Sequence, residues 1–319
     1  MLRAAGLVLL ACLTWGCSDA KEVNAAFSQT RVTWWVFDTG RIDGLRALPG
    51  FEQAQRVVWA PRTHAVRATD MAEAPGTSGA VAVSRMGLLL LDDSTGTLAA
   101  TRPGAQLPLT EYQTGRMFVW QKKLFVTLSQ EAPAVLPPAT LAWWSPGQTR
   151  LAFYPVPSQI KDPSRQVIGV IPPAEGTSNV TLEWKTPRTE GWSYERSSFS
   201  LDGGIEASAT SSVPDASPLA PDYGVLKARL AERVGLNVPV HRALGTGPLA
   251  LYTDAGWVAV GRIAEKRARL YKLPDLGVAG RYTGALAMTK GFVFSWEVGE
   301  RGYVGAGGLI YVPFAVLAP

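Results

Sequence analysis

Ala80-Val81-Ala82-Val83-Ser84-Arg85-Met86-Gly87-Leu88-Leu89-Leu90-Leu91-Asp92-Asp93-Ser94-Thr95-Gly96-Thr97-Leu98-Ala99-Ala100-Thr101 reads as three short strands joined by two turns. Ala80 to Ser84 and Leu88 to Leu91 are separated by a turn at Met86-Gly87, and Asp92 to Gly96 turns the chain into Thr97 to Thr101. Apolar runs bounded by Gly, Asp and Ser are the mark of an antiparallel meander. Neighbouring residues of a strand point to opposite faces, so four consecutive leucines demand apolar cover on both sides of their sheet. A two-layer sandwich covers only one face of each sheet. Sheets stacked blade upon blade around an axis cover both.

The same grammar recurs on either side of this stretch. Met117 to Trp120 turns at Gln121-Lys122 into Lys123 to Leu128, and Thr140 to Trp144 passes Ser145-Pro146-Gly147 into Arg150 to Tyr154. Gln166 to Ile171, Val180 to Lys185, Trp192 to Phe199 and Ile205 to Ala209 follow. Pro248 to Tyr252 turns at Thr253 to Gly256 into Trp257 to Gly261, and Arg269 to Leu273 ends at Pro274. Ala285 to Met288, Phe292 to Trp296 and Leu309 to Phe314 close the series. Upstream, strands are expected over Val32 to Asp38, Arg56 to Ala60 and His64 to Ala68. Trp34-Trp35 and Trp143-Trp144 repeat the two-faced apolar pattern of the leucines.

Units start near residues 79, 115, 166, 247 and 284, and repeats of roughly 40–50 residues are the propeller period. The expected fold is therefore all-β, a six- or seven-bladed β-propeller with one inserted short helix, preceded by an N-terminal signal. Two packed β domains, or a sandwich or other barrel, are the alternatives. The strand at Trp34-Trp35 is expected to complete the last blade. For the helix, Asp222 suits the N-cap, Leu226, Leu230 and Val234 form one apolar stripe, and Gly235 suits the position after the last turn. The stripe packs on the domain edge, or else docks a partner. Ser208 to Pro221, rich in Ser, Ala and Pro, reads as a surface loop.

At the start of the chain Arg3 precedes the apolar run Ala4 to Leu13, and Gly16 stands directly before Cys17. Ten apolar residues are too few for a ~30 Å hydrocarbon core, which takes roughly 20, and Ser18-Asp19-Ala20-Lys21-Glu22 ends the run. This is an export address, not part of the fold. It resembles a bacterial lipoprotein signal, in which a peptidase cuts before a cysteine that then carries the lipid. Trp15 is bulky for its place and Leu13 lies one position too far upstream, so the box is of the degenerate, spirochaete-like form. The resemblance implies lipidation at Cys17, with ordinary signal cleavage and the earlier Cys12 as alternatives. It also implies an outer-membrane destination, since residue 18 is Ser rather than Asp. Residues 1–16 are then the signal, 17–30 a polar tether and 31–319 the propeller-like domain. Cys12 and Cys17 are the two cysteines of the chain, so the mature domain relies on its core rather than on disulfides.

Composition narrows the function classes. The apolar fraction of 47% belongs to a globular chain. The net charge of +5 is small and scattered, unlike the dense basic stripe of a nucleic-acid binder, so no nucleic-acid partner is expected. No H-E-x-x-H, paired C-x-x-C, G-x-S-x-G or phosphate-cradling G-x-x-x-x-G-K occurs. Gly245-Thr246-Gly247-Pro248-Leu249-Ala250 has the spacing of a dinucleotide loop, but Pro248 removes a donor and a strand follows, so the match is a coincidence.

His64 and His241 read as strand or loop residues, and Asp92-Asp93 as turn chemistry. Glu183, Glu190 and Glu195 are candidates for a carboxylate pair, or else solvated strand edges. The eleven tryptophans are core first and a sugar platform second. No catalytic residue, cofactor or metal is assigned. The expected role is a membrane-anchored envelope lipoprotein that binds or scaffolds, with membrane lipid as one partner and an envelope protein or glycan as another. The alternative is a periplasmic enzyme acting on carbohydrate or cell wall through acidic residues at the propeller channel.

Overall fold

A computed structural model describes residues 33–37, 45–48, 67–100, 104–109, 112–130, 141–154, 166–202, 208–210, 223–261, 268–299 and 306–317. The expected strands over Arg56 to Ala60 and around His64 fall outside these residues, as do Cys12, Cys17, the tether and Asp222.

The described chain is mostly β, in five small sheets that follow one another along the sequence. Strands β1 (Thr33–Phe37) and β2 (Leu45–Leu48) come first but belong to the last sheet. Sheet I holds β3 (Ala68–Ala72), β4 (Gly79–Val83), β5 (Gly87–Asp92), and the short β6 (Ala99–Ala100) and β7 (Ala105–Gln106), which share the far edge of β5. Sheet II is β8 (Tyr112–Trp120), β9 (Lys123–Gln130), β10 (Leu141–Trp144) and β11 (Ala152–Phe153). Sheet III is β12 (Gln166–Ile171), β13 (Asn179–Arg188), β14 (Gly191–Ser200) and β15 (Ser208–Thr210).

Helix α1 (Gly224–Val234) precedes β16 (His241–Arg242) and β17 (Leu244–Gly245). Sheet IV joins β16 to β18 (Leu249–Tyr252), β19 (Trp257–Gly261) and β20 (Arg269–Lys272). Sheet V runs β17, β21 (Gly280–Ala287), β22 (Gly291–Val298), β23 (Ala306–Pro313), β1, β2.

Four features follow from the residues. The Leu88–Leu91 run is buried throughout, but its two faces enter different cores. Leu88 and Leu90 pack with Tyr112, Leu124 and Trp144 of sheet II. Leu89 and Leu91 pack with Leu286, Val293 and Leu309 of sheet V. Second, the edge strands carry the sheet-to-sheet contacts: β3 meets both β8 and β21, and β8 meets β12. The Thr69 and Thr114 hydroxyls lie 3.0 Å apart, and the Met117 N–H donates to Asp70 Oδ2 at 2.8 Å.

Third, the strand at Trp34-Trp35 does join the last sheet. β1 is antiparallel to β23, with Trp34 opposite Ile310, and to β2, with Trp35 opposite Ala47. Fourth, α1 buries Leu226 and Leu230 on the Leu251–Ala259 face of sheet IV, and the following Gly235 sits at φ 91°. The apolar clusters thus link sheet III to II, II to I, I to V, V to IV, and IV to the helix.

Candidate functional site

The residues singled out by sequence are not brought together. Glu183 pairs with Arg196 at 2.7 Å, and Glu195 with Arg188 at 3.5 Å. Glu183 and Glu195 stand opposite Arg196 and Trp184 in adjacent rungs of the β13–β14 ladder, so they point to opposite faces of sheet III. Glu190 is exposed at the hairpin tip. These three carboxylates form no shared pocket.

His241 Nε2 lies 2.7 Å from Asp254 Oδ1, with the imidazole 5.3 Å from the Tyr252 ring. The Gly245–Ala250 segment is a close-packing device rather than a phosphate cradle. Gly245 has φ 102°, and a Cβ there would sit 2.1 Å from the Ala287 carbonyl oxygen of the parallel strand β21. Among the described residues no group of three His, Cys, Asp or Glu side chains is arranged to hold a metal ion. None of the described helices is long and apolar enough to cross a membrane.

Asp92 and Asp93 divide the labour their position suggests. Asp92 accepts from the Ser94 N–H at 2.9 Å, and this bond, with the Ser94 hydroxyl, holds its carboxyl below the ordinary range. Asp93 is fully buried and reaches another sheet: Oδ2 accepts the Lys290 N–H at 2.6 Å and the Tyr311 O–H at 3.4 Å. Asp70, on edge strand β3, has its carboxyl pushed up by burial, against the pull of the Met117 N–H and the Arg116 charge.

The tryptophans split by position. Trp144, Trp184 and Trp296 are core. Trp257 lies under the Arg233 guanidinium at 4.8 Å, and Trp192 lies under the Lys185 ammonium at 4.2 Å while half exposed. The side chains of Trp34 and Trp35 lie outside the described residues.

A recess lies between sheets II and III, a groove of about 730 Å³ lined by Trp120 and Gln121 on one side and by 173–179 and Asp202 on the other. The β8–β9 hairpin builds the first wall. Its two-residue loop, Gln121-Lys122, closes the Trp120–Lys123 rung with φ 45° and 58°, the left-handed turn that matches strand twist. The opposite wall is stiffened by its own bonds: the Thr177 N–H and hydroxyl both reach the Ala174 carbonyl at 2.9 Å, and the Leu201 N–H donates to the Ser178 carbonyl at 2.8 Å.

One bond clamps the two walls, from Trp120 Nε1–H to the Thr177 carbonyl at 3.0 Å. Beneath them the Tyr154 hydroxyl donates to the Leu201 carbonyl. Burial raises the Tyr154 phenol above its usual range, and the Asp202 charge adds to the rise. Sequence reading reached Gln121 as a turn residue and the tryptophans as core first and a platform second. It passed over Glu175, Asn179 and Asp202, because the groove comes from loops of two different sheets.

No family model matches the chain, and no curated protein matches it. Among solved structures the chain is similar to a crystal structure of a eukaryotic initiation factor, at 13% identity and a TM-score of 0.21 over 89% of this chain and 74% of that one. A superposition that loose bears on neither fold nor function.

Proposed function

We propose that the protein is a lipid-anchored component of the bacterial cell envelope whose folded part, a six- or seven-bladed β-propeller, serves as a binding or scaffolding module. Five sheets in chain order, with edge strand β3 against β8 and β21, and β8 against β12, support the propeller. The chain length leaves room for six or seven such units. The observation that carries the reading is the pairing of the first and last described strands in one sheet, β1 lying between β23 and β2. That union ties the domain to a fixed point just after the tether. A flexible linker of this length reaches only roughly 20 Å, so the module works close to its membrane. Several acyl chains on Cys17, at about 0.8 kcal/mol per buried methylene, hold it there permanently.

Metabolic labelling with an alkyne fatty acid tests the anchor. Wild type and Cys12→Ala take up label and sediment with membranes, whereas Cys17→Ala takes up none and is released. Label retained by Cys17→Ala would remove the anchor assignment. Crosslinking the labelled protein in intact cells tests the binding role: a reproducible envelope partner is expected, and its absence from repeated captures counts against the module.

A further inference from the structure

We propose that the groove between the β8–β9 hairpin and the β12–β13 loop is a binding site for a neutral oligosaccharide; this rests on the binding-module reading and supplies its ligand class. The lining carries two components that sugars need. Trp120 lines the groove with its half-buried indole, and an aromatic ring is an apolar surface on which the C–H side of a pyranose stacks. Gln121, Asn179, Glu175 and Asp202 offer planar amides and carboxylates, whose paired atoms match vicinal hydroxyls.

None of those four side chains has a hydrogen-bond partner among the described residues. The backbone beneath them, by contrast, is tied down, and the Trp120–Thr177 bond fixes one wall against the other. Rigid walls with uncommitted polar groups are what a preformed small-molecule site presents. The hairpin loop adds a fourth observation. Asn-Gly is the favoured sequence for a turn with both central residues at positive φ, yet this loop carries Gln and Lys in that conformation. Such backbone cost gathers at binding sites, and here it puts a long amide at the rim. The size, about 730 Å³, accommodates two to three sugar rings.

The test uses the full chain in dimethyldodecylamine oxide micelles, with EDTA present. Chitotriose, cellotriose and maltotriose are titrated by tryptophan fluorescence and by saturation-transfer NMR. At least one trisaccharide binds; Trp120→Ala weakens it tenfold or more, and Asn179→Ala or Gln121→Ala weakens it about threefold to tenfold. Trp192→Ala, at the far end of sheet III, leaves binding unchanged. If Trp120→Ala melts early, the two loop variants decide the matter. The assignment is overturned if no trisaccharide binds, if binding follows Trp192, or if it appears only with added Ca²⁺. An envelope partner that is captured equally by wild type and Asn179→Ala, with no sugar bound, ends the saccharide site while sparing the binding-module reading.

Discussion

Asp92 and Asp93 are chemically identical and adjacent, yet their side chains live in different worlds. Asp92 serves its own turn in water. Asp93 is the buried acceptor that fastens sheet I to the β21–β22 connection of sheet V. Its Oδ1 has no partner among the described residues, so the carboxylate depends on what Oδ2 gains. Asp93→Ala leaves the Lys290 N–H and Tyr311 O–H without their acceptor, and the expected cost is about 3 kcal/mol. Asp93→Asn keeps one acceptor and loses roughly half as much. Asp92→Ala leaves the urea midpoint essentially in place. A single series of urea unfolding curves checks all three, and equal effects at 92 and 93 would refute the latch.

Asp70 makes a prediction in pH. Burial raises its folded pKa above the ordinary carboxylate value of 3.8, so between the two values the folded state binds more protons than the unfolded one. Stability from this group is therefore full below 3.8 and is lost as pH rises through the raised pKa. Relative to Asp70→Asn, wild type should lose stability from pH 3.5 upward and level off once Asp70 is ionised in both states. A wild-type-minus-variant difference that is flat or rises with pH would show the burial penalty to be absent.

At the scale of the element, strand β5 is the sharpest case. Leu88 faces the cluster shared with sheet II and Leu89 the cluster shared with sheet V. Leu88→Ala and Leu89→Ala should each cost about 2–4 kcal/mol. A sheet with one wet face would show that loss at only one of the two positions. Helix α1 gives a simpler contrast: Leu230→Ala destabilises because Leu230 is wholly buried against sheet IV, while Leu236→Ser, at 83% exposure, changes little.

These elements were legible because hydrophobic pattern and turn residues coincide. The β4–β5, β8–β9 and β13–β14 hairpins and the Leu226–Leu230 stripe stand close to where the sequence places them. The short β7, β16 and β17 were not legible. Two residues carry no period, and β17 exists only because a parallel partner some forty residues later accepts it.

At the scale of the molecule, β1 decides whether the fold is one body. It is an interior strand of sheet V, so each of its N–H groups faces an acceptor strand on one side or the other. Val36→Pro removes one such bond and clashes within the ladder. Broadened or biphasic thermal unfolding is expected, with a stability loss of more than about 1 kcal/mol. An unchanged single transition would mean that the β1–β23 junction contributes nothing to the whole.

The groove between sheets II and III belongs to this scale as well. Trp120 and Gln121 come from one hairpin, Glu175 and Asn179 from the β12–β13 loop and the first residue of β13 more than fifty residues on, and Asp202 from a turn beyond the next hairpin. By itself the sequence determined the strand content, the hairpin positions, the helix and the need for apolar cover on both faces, because each is a local matter of period and turn chemistry. Only the tertiary structure decided which sheet covers which face, that Asp93 is buried while Asp92 is wet, and that four unpaired polar side chains meet beside Trp120. Those outcomes depend on packing between segments far apart in the chain, and no short window of residues encodes where a distant partner will come to rest.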